Sequence, residues 1–230
     1  MAIVGIDKLS LLDYEDKVSV VLFSKACNMR CPFCHNGEAV LGASKDDEID
    51  FNEILDFLKT RTGLVDAVVF TGGEPTLEPD LKVKIKAVRD LGFLIKLDTN
   101  GTNPEIVESL LDEGLVDYVA MDIKNSPSLY KETCGASNIK LENIKKSIAI
   151  IMAKAPDYEF RTTLVKEFHE RMDYASFLNL IKGTKRVFLQ KFVDREGCIQ
   201  KGLHEVDIIE ANKLRDYLAS SIPEVTLRGY

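Results

Sequence analysis

Long apolar runs are missing from the 230-residue sequence, and their absence narrows the class of protein. No uninterrupted stretch approaches the roughly 20 apolar residues that a membrane-spanning helix needs. Residues 1–16 carry several acidic side chains and lack the apolar segment of a secretory signal. We therefore expect a cytoplasmic protein that does not associate with membranes.

An excess of positive charge is also missing. The chain has 30 Lys and Arg against 37 Asp and Glu, a formal net charge of -7 and a pI of about 5.2. This balance argues against a nucleic-acid binder, which would be basic. No linker or low-complexity tract divides the chain, so we predict a single domain over residues 1–230.

Cysteine is scarce and occurs in an odd number. Of the five cysteines, Cys27, Cys31 and Cys34 fall within eight residues, whereas Cys134 and Cys198 stand alone. In a reducing compartment this distribution indicates one metal or redox site and two bystander thiols, and it does not fit a disulfide framework.

What the sequence does contain is an alternation of short β-branched runs with longer helical patterns. The predicted strands are residues 18–23, 67–71, 94–98, 118–123, 159–165 and 187–193, with a last short strand at 225–228. The predicted helices are residues 51–61, 81–91, 104–113 (with Asn103 as N-cap), 141–153, 172–182 and 207–220. Six strand-helix alternations with short connections predict an α/β fold, a parallel sheet arranged as a partial (β/α)6 TIM-like barrel. An open doubly wound sheet is the alternative.

Polar motifs follow the predicted strand ends, which is where the catalytic residues of parallel barrels lie. In chain order they are the cysteine cluster, Thr71-Gly72-Gly73-Glu74-Pro75, Asp98-Thr99-Asn100-Gly101 and Asp122-Ile123-Lys124. Arg161 lies inside the fifth apolar strand, where a buried guanidinium needs an anionic partner. We expect these motifs to meet at one rim of the barrel.

The cysteines are spaced C-x3-C-x2-C. Thiolates hold iron–sulfur clusters, and a cubane held by three of them leaves one iron with an open coordination position. A structural zinc ion usually takes four ligands, so zinc would need a fourth ligand here, such as His35. His35 follows Cys34 directly, which is a poor geometry for binding the same metal ion.

This spacing, with Phe33 before the last cysteine, resembles that of the radical S-adenosylmethionine (SAM) superfamily. The resemblance implies a 4Fe–4S cluster on Cys27, Cys31 and Cys34, with Phe33 among the cofactor contacts. It also implies that the amino and carboxylate groups of SAM chelate the remaining iron. Reductive cleavage of SAM would then give a 5′-deoxyadenosyl radical.

The motif Gly72-Gly73-Glu74 resembles the GGE element of the same superfamily. The resemblance implies that Glu74 accepts hydrogen bonds from the methionine ammonium of SAM. The two glycines would allow the backbone to approach the ligand closely. An ordinary Gly-Gly turn after a strand is the alternative.

The ends of the third and fourth predicted strands resemble those of glycyl-radical-enzyme activases. The resemblance places Asp98 at the methionine amino group and Lys124 at the cofactor carboxylate. Asp98, Thr99 and Asp122 resemble a set that holds a monovalent cation beside that carboxylate. A turn at Asn100-Gly101 and a surface ion pair between Asp122 and Lys124 are the alternatives. For Arg161, the partner is a cofactor carboxylate or ribose, or a neighbouring acid.

Further segments resemble the activating enzymes of pyruvate formate-lyase and of anaerobic ribonucleoside-triphosphate reductase. They are Cys34-His35-Asn36, residues 130–135, residues 141–144 and residues 225–229, on a chain with little room for a substrate domain. The resemblance implies that the radical abstracts a glycine Cα hydrogen from a partner glycyl radical enzyme, with a flavodoxin or ferredoxin type of reductant. The alternatives are a radical SAM enzyme acting on a small molecule in cofactor or nucleoside biosynthesis, and a zinc-binding interaction module.

The chain also departs from those activases. It lacks a ferredoxin-like cysteine insertion, so we predict no second cluster on Cys134 or Cys198. Its sixth predicted strand has no histidine at the place of a cofactor contact in pyruvate formate-lyase activases, and Gln190 lies near that place. We predict that His169 and His204 are surface residues.

Overall fold

The computed structural model describes residues 3–42 and 47–230. Its strands are β1 (Ile3–Ser10), β2 (Ser19–Ser24), β3 (Ala67–Gly72), β4 (Leu94–Thr99), β5 (Tyr118–Asp122), β6 (Asp157–Leu164), β7 (Arg186–Lys191) and β8 (Glu224–Arg228). Its α-helices are α1 (Phe51–Lys59), α2 (Leu81–Arg89), α3 (Pro104–Asp112), α4 (Tyr130–Thr133), α5 (Leu141–Lys154), α6 (Lys166–His169), α7 (Tyr174–Leu180) and α8 (Ile208–Ala219). A π-helical turn occupies Glu38–Gly42 and a 3-10 turn Pro75–Leu77. The segment 1–16, in which we expect no secretory signal, begins with residues 1–2, which lie outside the described residues.

The eight strands form one sheet in the order β1 to β8. β1 runs antiparallel to β2, and every later neighbouring pair is parallel. A doubly wound sheet would reverse its strand order at a switch point, so this alternative is wrong. The two end strands do not pair with each other, and the predicted partial barrel is confirmed, with β2 to β7 as its six predicted strands. The single-domain assignment stays a prediction.

The structure differs from the predicted elements mainly at the beginning of the chain. Strand β1 was not predicted, because Gly5, Asp7 and Lys8 interrupt its apolar pattern at the sheet edge. The helix predicted at 172–182 begins instead at Tyr174, where the Asp173 side chain accepts hydrogen bonds from two backbone amides. Asn103 is the N-cap residue of α3, as predicted, but its side chain makes no cap bond and donates to Thr76 instead.

Because side chains alternate across a strand, each strand has an outer face toward the helices and an inner face toward the barrel centre. The outer face packs Val20, Leu22, Val68 and Phe70 into the large core under the helices. The inner face carries a smaller cluster, Tyr14, Val21, Ala67, Val69, Tyr118 and Ala120. Those mostly small side chains leave room for longer ones inside the barrel.

The end of the barrel opposite the carboxyl ends of the strands is covered by the β1–β2 connection. Tyr14 from that connection lies 5.2 Å, between ring centroids, from Tyr118, the first residue of β5. The ammonium of Lys96 lies over both rings and donates to the Asp13 carbonyl. The carboxyl ends of the strands therefore form the accessible rim. No helix within residues 3–42 and 47–230 is long and apolar enough to cross a membrane.

Candidate active site

A cavity of about 210 Å³ opens at the carboxyl ends of the parallel strands. All twelve predicted site residues line it: Cys27, Cys31, Phe33, Cys34, Gly72, Gly73, Glu74, Asp98, Thr99, Asp122, Lys124 and Arg161. They come from the ends of β2, β3, β4 and β5 and from the interior of β6. The topology of a parallel sheet thus brings residues more than 100 positions apart into one cavity.

The three cysteines are free thiols in a loop that directly follows β2. Cys31 is buried, whereas Cys27 and Cys34 are partly exposed toward the cavity. Burial raises the pKa of Cys27 to about 11 and that of Cys31 to about 12, and it also raises the pKa of Cys34. The Lys124 ammonium lowers the pKa of all three thiols and so opposes the effect of burial. It is therefore the positive charge that the three thiols share.

Amide groups supply the nearest donors to one of these sulfur atoms. The Cys27 Sγ accepts from the backbone N–H of Met29 at 3.3 Å and lies 3.6 Å from the Asn100 amide nitrogen. Donors of this kind stabilise a thiolate and orient it as a metal ligand. The Asn100-Gly101 turn therefore contributes to the site, a role that its sequence as a turn dipeptide did not indicate.

Backbone hydrogen bonds hold the cysteine loop (residues 27–34) against two distant segments. The Arg30 N–H donates to the Cys134 carbonyl at 2.9 Å, in the segment after α4. The N–H of Gln200 donates to the Pro32 carbonyl at 2.8 Å, and that of Ile199 to the Cys34 carbonyl at 3.3 Å. We call residues 134–135 and 197–200 the bracing segments. Both isolated cysteines lie in them and are buried thiols.

The Gly-Gly pair after β3 allows close packing against the chain itself. A Cβ on Gly73 would lie 1.7 Å from the Ala26 carbonyl oxygen, and one on Gly72 would lie 2.4 Å from the Ser24 nitrogen. The N–H groups of Gly73 and Glu74 donate to the carbonyls of Ser24 and Ala26, each at 2.8 Å. The glycines thus let the segment just before the cysteine loop pack closely against the end of β3. Their contact with a ligand stays a prediction.

Glu74 is buried beside the cavity, and its carboxylate already receives four hydrogen bonds. Oε1 accepts from the Thr76 amide at 3.2 Å, from the Thr76 hydroxyl at 2.5 Å and from the Thr99 hydroxyl at 2.7 Å. Oε2 accepts from the Asn100 amide at 2.6 Å. Burial raises the pKa of Glu74 and these hydrogen bonds act against the rise. Glu74 therefore ties the end of β3 to the end of β4. Its contact with an ammonium stays a prediction, and Oε2, which accepts one hydrogen bond, would make that contact.

Four charged side chains form a connected row across the rim. Arg161 donates through Nη1 to Asp98 at 3.2 Å and through Nε to Asp122 at 3.1 Å. Lys124 donates to the other oxygen of Asp122 at 2.9 Å. The anionic partner of Arg161 is therefore a pair of neighbouring acids, one of the two alternatives left by the sequence.

These pairs change the ionisation of Asp122. Burial alone would raise its pKa, but Lys124 and Arg161 lower the pKa to about 2. The same contacts raise the pKa of Lys124 and Arg161 against the effect of burial. All three groups are therefore charged at neutral pH.

The aromatic residue of the cysteine loop sits among other rings. Phe33 lies 5.8 Å, between centroids, from Phe168 and 6.5 Å from Phe192. His169 is buried 6.4 Å from Phe33, and its Nε2 bonds the Lys124 carbonyl at 2.9 Å, so the prediction of a surface histidine is wrong. Sequence reasoning missed His169 because it lies at the end of α6, a helix of only four residues. His204 is exposed and bonded to Glu167, as predicted for a surface residue.

The arrangement of the thiols bears on which metal group the site would hold. Within residues 3–42 and 47–230, no three His, Cys, Asp or Glu side chains are grouped to hold one metal ion. A cubane needs only one thiolate per iron, so its ligands need not converge on a point. His35, the possible fourth zinc ligand, stacks on Phe192 and bonds the Val193 carbonyl at 2.9 Å. The three thiols, the shared Lys124 charge and the amide donors fit a cluster.

A cysteine loop at the rim of a partial parallel barrel is typical of a class of enzymes that use an iron–sulfur cluster. Comparison with known proteins identifies the superfamily. The family model of the radical SAM superfamily matches residues 21–178, and the chain belongs to this superfamily. Membership implies that the enzyme uses SAM and a 4Fe–4S cluster.

Two relatives and one solved structure show the range of similar proteins. A protein of Methanocaldococcus jannaschii, provisionally named a glycyl-radical enzyme activating enzyme, is 34% identical over 92% of this chain and 88% of its own length. The 7-carboxy-7-deazaguanine synthase of Thermoplasma acidophilum is 27% identical over 66% of this chain and 68% of its own. Streptococcus suis SuiB bound to SAM matches with a TM-score of 0.65 at 16% identity, over 91% of this chain and 50% of SuiB, a likeness of fold alone.

A matched pair of glycines tests the bracing of the cysteine loop. Gly135 and Gly114 have nearly equal positive φ angles, 61° and 62°. A Cβ on Gly135 would lie 2.2 Å from the Arg30 carbonyl oxygen, whereas one on Gly114 would meet open space. Alanine at either position should lower the free energy of unfolding by about 1 kcal/mol, because a positive φ strains the alanine backbone. We expect the free energy of unfolding in urea to fall by about 1–3 kcal/mol more in Gly135→Ala than in Gly114→Ala. We also expect Gly135→Ala to bind less iron in anaerobic reconstitution. Equal losses for the two variants would contradict this bracing.

The pKa of Asp122 gives a pH prediction. A carboxyl with a pKa of about 2 in the folded state and about 3.9 unfolded adds stability above the unfolded value and loses it as the pH falls through about 2. The difference in Tm between the wild type and Asp122→Asn should therefore be constant above about pH 5 and narrow below about pH 4.

Thermal melts across that range provide the measurement. Asp80→Asn is the control, because Asp80 starts α2 without a side-chain cap bond, and we expect it to differ little from the wild type throughout. A Tm difference for Asp122→Asn that stays constant into acid would show that its ion pairs contribute nothing.

Proposed function

We propose that this radical SAM enzyme activates a partner glycyl radical enzyme. The observation that carries the proposal is the 34% identity to a provisionally named activating enzyme, which extends over 92% of this chain and 88% of that relative. Little of either chain lies outside the match. One electron from the reduced 4Fe–4S cluster would split the bond between sulfur and the 5′ carbon of SAM into methionine and a 5′-deoxyadenosyl radical. That radical would take one hydrogen atom from a glycine Cα and give a glycyl radical and 5′-deoxyadenosine.

The residues of the cavity divide the work of holding the two cofactors. Cys27, Cys31 and Cys34 would bind three irons of the cluster and leave the fourth to SAM. Oδ1 of Asp98 is buried, has no hydrogen-bond donor among the described residues and lies 3.7 Å from the Lys96 ammonium, so it would be the acceptor for the methionine ammonium. Lys124, which is bonded to Asp122, would also face the methionine carboxylate.

The gap in the barrel gives a route for a protein substrate. β1 and β8 form the two ends of the sheet and do not pair with each other. A glycine-bearing loop would enter between them, because hydrogen abstraction needs the glycine roughly 3–3.5 Å from the reacting carbon. A flavodoxin or ferredoxin type of protein would supply the electron. The contribution of this chain is positioning and the exclusion of water.

A second function is favoured by one comparison. The similarity to a 7-carboxy-7-deazaguanine synthase covers 66% of this chain and 68% of that enzyme. This supports a radical SAM enzyme that acts on a small molecule as the alternative. Such an enzyme would need a closed pocket with fixed polar groups for its substrate.

The ligand assignment predicts a clear split among the five cysteines. Alanine at Cys27, Cys31 or Cys34 should abolish the EPR signal of the reduced cluster or its response to SAM, because each removes one iron ligand. Cys134→Ala and Cys198→Ala are matched controls, since both are buried thiols in the bracing segments, and they should keep about four irons per chain. Tightly bound zinc without iron after anaerobic purification would contradict the assignment.

The activity is tested by anaerobic mixing of the reduced enzyme, SAM and a candidate glycyl radical enzyme. We expect a doublet EPR signal on the partner, because the α-hydrogen that remains on glycine splits the radical, and a singlet when the partner carries deuterated glycine. The Cys31→Ala variant is the control and should give no signal. Deoxyadenosine that forms only with a small metabolite, with no radical on any partner, would favour the second function.

A further inference from the structure

Asp98 and Asp122 are the carboxylates that the activase resemblance assigns to a monovalent cation. In this structure Arg161 already bridges them, through Nη1 to Asp98 Oδ2 at 3.2 Å and through Nε to Asp122 Oδ1 at 3.1 Å. The guanidinium projects from β6 and is largely buried, with 14% of its side chain exposed. One fixed positive group thus occupies the space between the two acids.

The remaining oxygens do not fit an alkali metal ion. Oδ2 of Asp122 accepts from Lys124 at 2.9 Å, and Oδ2 of Asp98 also accepts from the Thr71 hydroxyl at 3.1 Å. Only Oδ1 of Asp98 lacks a hydrogen-bond donor among the described residues, and the Lys96 ammonium lies 3.7 Å from it. Hard cations bind through several oxygen atoms at once, and all four of these oxygens already face a cationic side chain.

The cationic side chains that are paired with the two acids lead to the same result. Three cations, Lys96, Lys124 and Arg161, are paired with the two acids Asp98 and Asp122. Another acid, Glu159, lies 3.9 Å from Arg161, but it is bonded by Arg228 at 3.1 Å and 3.2 Å. A further metal cation would therefore meet carboxylates that are already paired with cationic side chains, whereas Lys124, which lines the cavity, would meet an incoming carboxylate with the opposite charge.

We propose that the guanidinium of Arg161 takes the place of the monovalent cation, so that this enzyme binds SAM without sodium or potassium. The inference rests on the proposed use of SAM and concerns how its methionine carboxylate is balanced. A guanidinium held covalently on a strand is present at every salt composition. Its planar fork also spans two carboxylates, which a lysine ammonium does less well.

The first test uses the reconstituted wild-type enzyme and needs no variant. SAM affinity is measured by titration of the EPR change of the reduced cluster, in choline, sodium and potassium chloride at equal ionic strength. The expected dissociation constants agree within about twofold across the three salts. A loss of tenfold or more in choline, recovered by sodium or potassium, would overturn the inference.

The second test asks whether a cation site appears when the guanidinium is removed. Arg161→Met leaves two acids facing the cavity, so SAM affinity should fall by about tenfold or more in choline and be partly restored by sodium or potassium. Arg228→Met is the matched control, because Arg228 pairs with Glu159 and does not line the cavity, and it should acquire no cation dependence. Weak binding by Arg161→Met that no cation restores would contradict the replacement.

The outcomes separate this inference from the proposed function. An iron-loaded wild type that binds no SAM in any of the three salts would overturn the use of SAM, and this inference with it. Binding that requires sodium or potassium in the wild type would overturn the inference alone. Binding independent of the salt in the wild type, with dependence gained only in Arg161→Met, supports both.

Discussion

The hydrogen bonds that join the cysteine loop to the bracing segments are the constraint on which the site depends. The loop is short and follows β2, yet its carbonyl and amide groups pair with residues that come after β5 and β7 in the chain. Gly135 packs directly against the Arg30 carbonyl. The positions of the three thiols therefore depend on distant parts of the chain as well as on the loop itself.

The same sheet separates two kinds of interior. Its outer face buries branched apolar side chains under the helices, whereas its inner face carries alternating charged residues, such as Lys96 and Asp98 on β4 and Glu159 and Arg161 on β6. Buried charges are tolerated when each is paired and hydrogen-bonded. Here they form a connected set that ends at the cavity, where Lys124 is one of the lining cations. Under the proposed function, stability and cofactor binding would draw on the same ion pairs.

Much of this arrangement could be predicted from the sequence, because apolar runs and turn residues report local structure. The six central strands, the partial barrel and the position of all twelve site residues at one cavity followed from that pattern. What it could not show is which polar group pairs with which. Glu74 is largely saturated by Thr76, Thr99 and Asn100, and His169 is buried. Strand β1 escaped prediction because an edge strand needs no continuous apolar run.

The central claim is that three thiolates of this chain hold a cluster and leave one iron to SAM. Mössbauer spectroscopy of protein loaded with isotopically enriched iron, before and after addition of SAM, tests it most directly. The account predicts that one iron of the cluster changes its spectrum when SAM binds, while the thiolate-bound irons change little. Irons that are all equivalent and unaffected by SAM, or protein that takes up zinc and no iron, would contradict it.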